Sequence, residues 1–147
     1  MTTIHRTALV EYSAKQMYDL VNNIDAYPEF VPMCQAVEIH SQSETHIDAT
    51  LKIAKGAVKL DFGTHNEMVE NESIKIRLLK GPFKRLTGFW KFTPLSNHQA
   101  CKVTLDLEFE FSNRLVALGL GLIFNNLANS MLDAFCKRAD NVYGKVV

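Results

Sequence analysis

The sequence predicts an α+β domain in which a seven-stranded curved antiparallel sheet wraps a long C-terminal helix, with two short helices after strand 1. Three observations carry that expectation. Val103 to Phe111 alternates apolar and polar residues without a break, as a strand with one dry face requires. About thirty residues at helical spacing follow it. The chain before it is a run of alternating segments separated by turn signals. Helices set at the ends of an antiparallel sheet define the α+β class.

Strand 1 is expected over Ile4 to Val10, where alternation is weak and both faces should be partly covered. Ser13-Ala-Lys-Gln16 reads as a capping box, in which hydroxyl and amide satisfy free backbone groups at a helix start. The short helix that follows should bury Met17, Leu20, Val21 and Ile24. In Tyr27-Pro-Glu-Phe-Val-Pro32 the two prolines allow a turn or a single helical turn before extended chain.

A meander then runs over 34–44, 47–55, 57–69, 73–79, 86–94 and 99–111. Inward faces are expected at Ile47, Ala49, Leu51 and Ile53, at Val58, Leu60 and Phe62, at Ile74, Ile76 and Leu78, and at Leu86, Trp90 and Phe92. Lys55-Gly56, Glu70-Asn71-Glu72, Lys80-Gly81-Pro82 and Leu95-Ser96-Asn97 mark the turns. In the long helix, Phe124, Leu127, Ala128, Met131, Leu132, Phe135 and Val142 form a stripe opposite Asn126, Asn129, Asp133, Lys137 and Asp140. Its first half, Leu115 to Phe124, is apolar all round, so contacts other than water are expected on every side.

A chain of 147 residues is one domain, 1–147, large enough for a real core. An apolar share of 47% and a charged share of 22% are ordinary for a globular protein. The zero net charge excludes a bulk pull toward nucleic acid or anionic membrane, though not a local basic patch. Cys34, Cys101 and Cys136 are widely spaced, with no C-x-x-C pair, and fit reduced cytosolic thiols better than a disulfide frame or a zinc site. The N-terminus lacks a signal-peptide pattern, and the run from Leu115 to Phe124 is about half of a membrane span. A cytoplasmic protein is expected.

Seven strands about 4.8 Å apart make a sheet on the order of 30 Å wide, whereas one helix is about 10 to 12 Å across. One helix cannot fill that concave face. An empty void of roughly 300 Å³ costs several kcal/mol at about 24 cal/mol per Å³, so either the core collapses or a ligand occupies the space.

Tyr27-Pro28-x-Phe30-Val31-Pro32-x-Cys34, Gly81-Pro82-Phe83-x-x-Leu86-x-Gly88-x-Trp90-x-Phe92 and the Phe109-Glu-Phe111 strand before the long helix carry a resemblance. With these motifs in this order over essentially the whole length, the chain resembles the coenzyme Q-binding, START-like family of the polyketide cyclase/dehydrase superfamily, whose bacterial branch includes the ribosome association toxin. The resemblance implies a helix-grip fold around an apolar pocket, and binding of an isoprenoid quinone such as ubiquinone, or a similar lipid, in support of respiration. It equally implies a toxin-like alternative, binding the large ribosomal subunit and blocking subunit association and translation.

On that reading the ligand-binding residues are Tyr27, Phe30, Val31, Phe62, Thr64, Leu78, Trp90, Phe92, Leu107, Phe109, Leu118, Leu122 and Ile123. The segment from Tyr27 to Cys34 is either a gate or a rigid plug. Gly119 and Gly121 reflect either approach of a ligand to the helix or close packing on the sheet. Lys80, Lys84 and Arg85 around an exposed Phe83 form a candidate contact for RNA or for a transient membrane surface, against the plainer reading of a solvated turn.

Catalysis has little support. No G-x-S-x-G, H-E-x-x-H or phosphate loop occurs, and His5, His40, His46, His65 and His98 lack ligand spacing, so no catalytic residue, metal or cofactor is expected. Asp61 and His65 share a strand face predicted to be solvated. Thr64 and Asn66 are the polar residues expected to continue the inward face past Phe62.

Overall fold

A computed structural model describes residues 1–144. Strands β1 (Thr2–Val10), β2 (Cys34–Gln42), β3 (His46–Lys55), β4 (Val58–Val69), β5 (Ser73–Lys80), β6 (Phe83–Pro94) and β7 (Cys101–Phe111) form one sheet in the order β1-β7-β6-β5-β4-β3-β2. Helices α1 (Ala14–Asn22) and α2 (Tyr27–Phe30) follow β1, with a 3₁₀ turn over Ile24–Ala26 between them, and α3 (Arg114–Tyr143) follows β7.

Local chemistry accounts for the boundaries. The Ser13 hydroxyl accepts from the Gln16 amide at 3.1 Å while the Gln16 side chain accepts from the Ser13 amide at 2.8 Å, so α1 starts with a complete capping box. Asn113 caps α3 by accepting from the Val116 amide at 2.9 Å. Pro28 sits in the first turn of α2, where its missing N–H costs nothing. The meander β2 to β7 pairs consecutive strands, and β1 closes on β7 in register from Thr2↔Phe109 to Val10↔Cys101.

Register shifts in β2, at Gly63/Thr64 of β4 and between Phe83 and Arg85 of β6 bend the sheet around the helix, as bulges do. The last of these explains a departure from the sequence expectation: β6 begins at Phe83 rather than at 86. The outer face of β1 is bare rather than partly covered, with His5, Thr7 and Leu9 exposed, because no layer lies over that side of the sheet. On α3, Val142 is exposed and Ala139 takes its expected place in the buried stripe.

Two aromatic clusters seat α3 on the sheet. Phe124 packs edge-on against Phe109, Phe83 and Phe62 with centroids 4.7, 4.8 and 5.6 Å away. Phe135 packs in the same manner on Phe30, Tyr27 and Trp90 at 5.2, 5.3 and 5.4 Å. The two rings are three helical turns apart, about 16 Å along the axis. Polar ties hold the far end: Tyr143 donates to the Gln16 carbonyl, Tyr12 to Asp140, and Arg138 lies over the Phe30 ring and 3.3 Å from Glu29.

Each ring should therefore carry its own share of stability. Phe124→Ala and Phe135→Ala are expected to cost about 3–5 kcal/mol each in urea unfolding. A loss under about 1 kcal/mol for either would mean that the helix is not seated by that ring.

Candidate functional site

Between the two aromatic clusters the helix stands off the sheet and leaves a cavity of about 70 Å³. Leu127, Ala128 and Met131 of α3 form its roof. Its floor is Leu51, Ile76, Leu86, Leu105 and Leu107, all at inward positions of their strands. Ile24, Tyr27 and Trp90 close one end, and Phe62 and Phe124 the other. The space is below the about 300–1,000 Å³ of occupied ligand pockets, so the core is largely collapsed around it. Large rings fill both ends, which leaves only the middle open.

Two polar side chains enter this apolar wall. β4 keeps its alternation from Leu60 to Met68, which turns Thr64 and Asn66 inward, and both are buried. Thr64 donates to Asn66 Oδ1 at 3.1 Å, so the Asn66 amide nitrogen offers N–H donors to whatever fills the space. The Tyr27 hydroxyl is already engaged, donating to the Val21 carbonyl at 2.5 Å, and burial, with Cys34 nearby, pushes its pKa well up. Burial likewise pushes the Cys34 thiol up to about 11, against a smaller opposing hydrogen bond to Ala36. It stays a thiol at neutral pH, a poor nucleophile. The lining holds no carboxylate and no imidazole. His65 and Asp61 face outward, His65 donating to Asp48 at 2.5 Å.

Of the residues singled out from sequence, Tyr27, Phe62, Thr64, Trp90 and Leu107 lie in the cavity wall. Phe30 stands behind Tyr27 and Phe135, and Phe92 stacks against Trp90. Val31, Phe109 and Ile123 are buried without reaching the space, and Leu78 is half-buried off it. Buried Tyr27, Val31 and Cys34 close their end of the core.

Leu118 and Leu122 are not in the pocket. They are 82% and 74% exposed, and Leu115 is 81% exposed. The expectation that no side of this stretch meets water is thus corrected: from Arg114 to Leu120 no residue is buried, because the helix starts beyond the core. Neither Gly119, which faces open space, nor Gly121, 3.8 Å from Phe111 by an added Cβ, is forced by close packing. The roof residues Leu127, Ala128 and Met131 lie on the apolar stripe, whereas Leu118 and Leu122 fall on the opposite side of the helix, a separation that the 3.6-residue period carries and the all-round apolar composition of this stretch hides.

The basic turn is also revised. Lys80, Lys84 and Arg85 are exposed, whereas Phe83 is buried, turned inward by the bulge and stacked on Phe111 at 5.1 Å. The Ser112 amide donates to the Pro82 carbonyl at 3.0 Å, which sets this turn beside the start of α3. One end of the molecule therefore presents Lys80, Lys84, Arg85 and Arg114 together with the bare leucines. By length and composition α3 is apolar enough to cross a bilayer, although Phe124, Leu127, Leu132 and Phe135 are buried against the sheet.

Comparison with known proteins agrees with this architecture. Residues 10–136 match the family described as polyketide cyclase / dehydrase and lipid transport. The ribosome association toxin RatA of Vibrio cholerae serotype O1 is 46% identical over 145 residues, covering 99% of this chain and 100% of that one. The mitochondrial coenzyme Q-binding protein COQ10 of Dictyostelium discoideum is 26% identical over 151 residues, covering 98% of this chain and 72% of that one. The crystal structure of the Zhui aromatase/cyclase from Streptomyces sp. R1128 superposes with a TM-score of 0.82 at 15% identity, covering 99% of both chains, a likeness of fold.

The two kinds of leucine on α3 should respond differently to charge. Leu122→Asp is expected to leave unfolding stability within about 0.5 kcal/mol, as surface substitutions do. Leu127→Asp buries an unpaired carboxylate and should abolish the cooperative thermal transition. Equal melting profiles for the two variants would contradict the placement of the cavity.

Proposed function

The chain belongs to the polyketide cyclase/dehydrase and lipid transport family, and from that premise we propose that it is a non-enzymatic binding protein for a hydrophobic ligand of the isoprenoid quinone class. The observation that carries this reading is the cavity itself: an apolar space under α3 with one uncharged polar pair, Thr64 and Asn66, on its wall. A quinone ring needs that combination, a flat apolar face and a donor for a carbonyl oxygen. The relative named for coenzyme Q binding supports the ligand class. Met131, half-buried in the roof with three rotatable bonds, is the lining side chain best able to adjust to a ring. Each Å² of apolar ligand surface that enters is worth about 25 cal/mol before the costs of association.

Trp90 is the sole tryptophan and lies in the wall, so it reports occupancy. Ubiquinone analogues are expected to quench its emission saturably, and mass spectrometry of an organic extract should find an isoprenoid quinone in the purified protein. Asn66→Ala removes the carbonyl donor and should weaken binding about tenfold, the equivalent of one net hydrogen bond of about 1.4 kcal/mol. If quinones of several tail lengths neither co-purify nor quench Trp90, the proposal fails.

A second reading rests on a different observation: relatives 45–46% identical over nearly the whole chain are named ribosome association toxins. In this reading the chain binds the large ribosomal subunit through the end that carries Lys80, Lys84 and Arg85. Co-sedimentation with the large subunit should then weaken with salt, with a slope of log affinity on log salt of roughly two to three for three phosphate contacts. Replacing the three cations together by Ala should abolish co-sedimentation and leave Trp90 quenching intact. Co-sedimentation of this triple variant at wild-type strength would exclude the basic turn as the contact.

A further inference from the structure

The outer face of the sheet carries a set of side chains that the cavity does not use. On β3 and β4 the register pairs His46 directly with Glu67 and Asp48 directly with His65. All four point away from the cavity, since their neighbours Ile47, Ala49, Thr64 and Asn66 point into the core. One ligand atom from each of His46, His65 and Glu67 lies within 4.8 Å of the others.

We propose that His46, His65 and Glu67 bind a divalent transition metal ion, zinc foremost, with Asp48 as the positioning residue. Two imidazoles and one carboxylate form a three-ligand zinc set that leaves a fourth position for water or an incoming donor. The oxygen and nitrogen donors suit zinc and its first-row neighbours and are too few and too nitrogen-rich for calcium or magnesium.

The geometry of the four side chains supports the assignment. His65 Nδ1 donates to Asp48 Oδ1 at 2.5 Å, which directs the Nε2 lone pair outward toward Glu67. A carboxylate on the far nitrogen is the usual support of a metal-binding histidine. His65 is also sheltered, with its side chain 17% exposed, so its ring is held by packing as well.

The His65 Nε2 to Glu67 Oε1 separation is 3.6 Å, close to the about 3.3 Å between two donors that share a tetrahedral zinc at about 2.0–2.1 Å. The His46 ring lies 5.2 Å from the His65 ring, and Thr45 Oγ1 is 2.8 Å from its Nδ1. His46 and Glu67 are the exposed members and can close on the ion by small side-chain rotations. The set sits on paired strands, which keeps the donors in place without the ion. Spacing along the chain conceals it, because His46 and His65 meet only through the β3–β4 register.

The test uses untagged protein stripped with a chelator and desalted, titrated with zinc sulfate by calorimetry and with cobalt(II) by absorption spectroscopy. One ion per chain is expected. The cobalt complex should show visible d–d bands without the intense near-ultraviolet sulfur charge transfer that the cysteines would give. His65→Ala and Glu67→Ala each remove a donor and should weaken zinc binding at least about tenfold; Asp48→Asn keeps every donor and should weaken it about 10–100-fold. Circular dichroism and Trp90 emission, which report the fold from the other side of the sheet, should be unchanged in all three. Absence of saturable binding overturns the proposal. So does binding that survives these substitutions, or a cobalt spectrum dominated by thiolate.

Discussion

The seating of α3 on Phe124 and Phe135 is the constraint on which the rest of the structure depends. Each ring meets three or more aromatic partners edge-on, an arrangement that favours one geometry over close alternatives. Large side chains at two points three turns apart hold the helix off the sheet between them. Leu127, Ala128 and Met131 are too small or too flexible to fill the gap. The cavity is thus a result of side-chain size along one helix face, and the same clusters that stabilise the fold define its ends.

The strand β4 divides two kinds of chemistry by alternation alone. Thr64 and Asn66 serve the apolar interior, while His65 and Glu67 stand on the outer face beside Asp48 and His46. A strand has no room for compromise here: a one-residue slip would put imidazole into the core and leave asparagine in water. The pairing with β3, unbroken from His46↔Glu67 to Lys55↔Val58, holds that parity. The register shift at Gly63/Thr64 falls on the β5 side and bends the sheet without changing which residues face inward.

Much of this was legible from residue order. The inward faces of the meander and of Val103 to Phe111 follow from a period of two, and the start of α1 from the reciprocal Ser13 and Gln16 bonds. What periodicity cannot tell is where a helix lies along its own axis relative to a sheet. It does tell which side meets the sheet: Leu118 and Leu122 fall on the side away from Leu127 and Phe135, and the unbroken apolar run from Leu115 to Phe124 hides this. Phe83 was misplaced for a related reason, since one bulge reverses the side on which a residue falls. His46 and His65 lack ligand spacing along the chain because they meet only through hairpin pairing, which spacing along one strand does not reveal.

The position of β1 has a consequence for how the protein is made. It is the first strand of the sheet, yet its partner β7 is the last, so Thr2 waits for Phe109 across roughly a hundred residues. At about 5–20 residues per second, β1 and the apolar face of α1 spend on the order of 5–20 s outside the ribosomal tunnel without β7 and α3 to cover them. Met17 and Val21 are among the residues left bare in that interval, and both end up buried. A chain cut short before β7 would therefore be no smaller version of this domain. It would be an open meander with a loose leading strand, a substrate for chaperones and proteases, and the emergence of β7 is itself the step that allows the sheet to close.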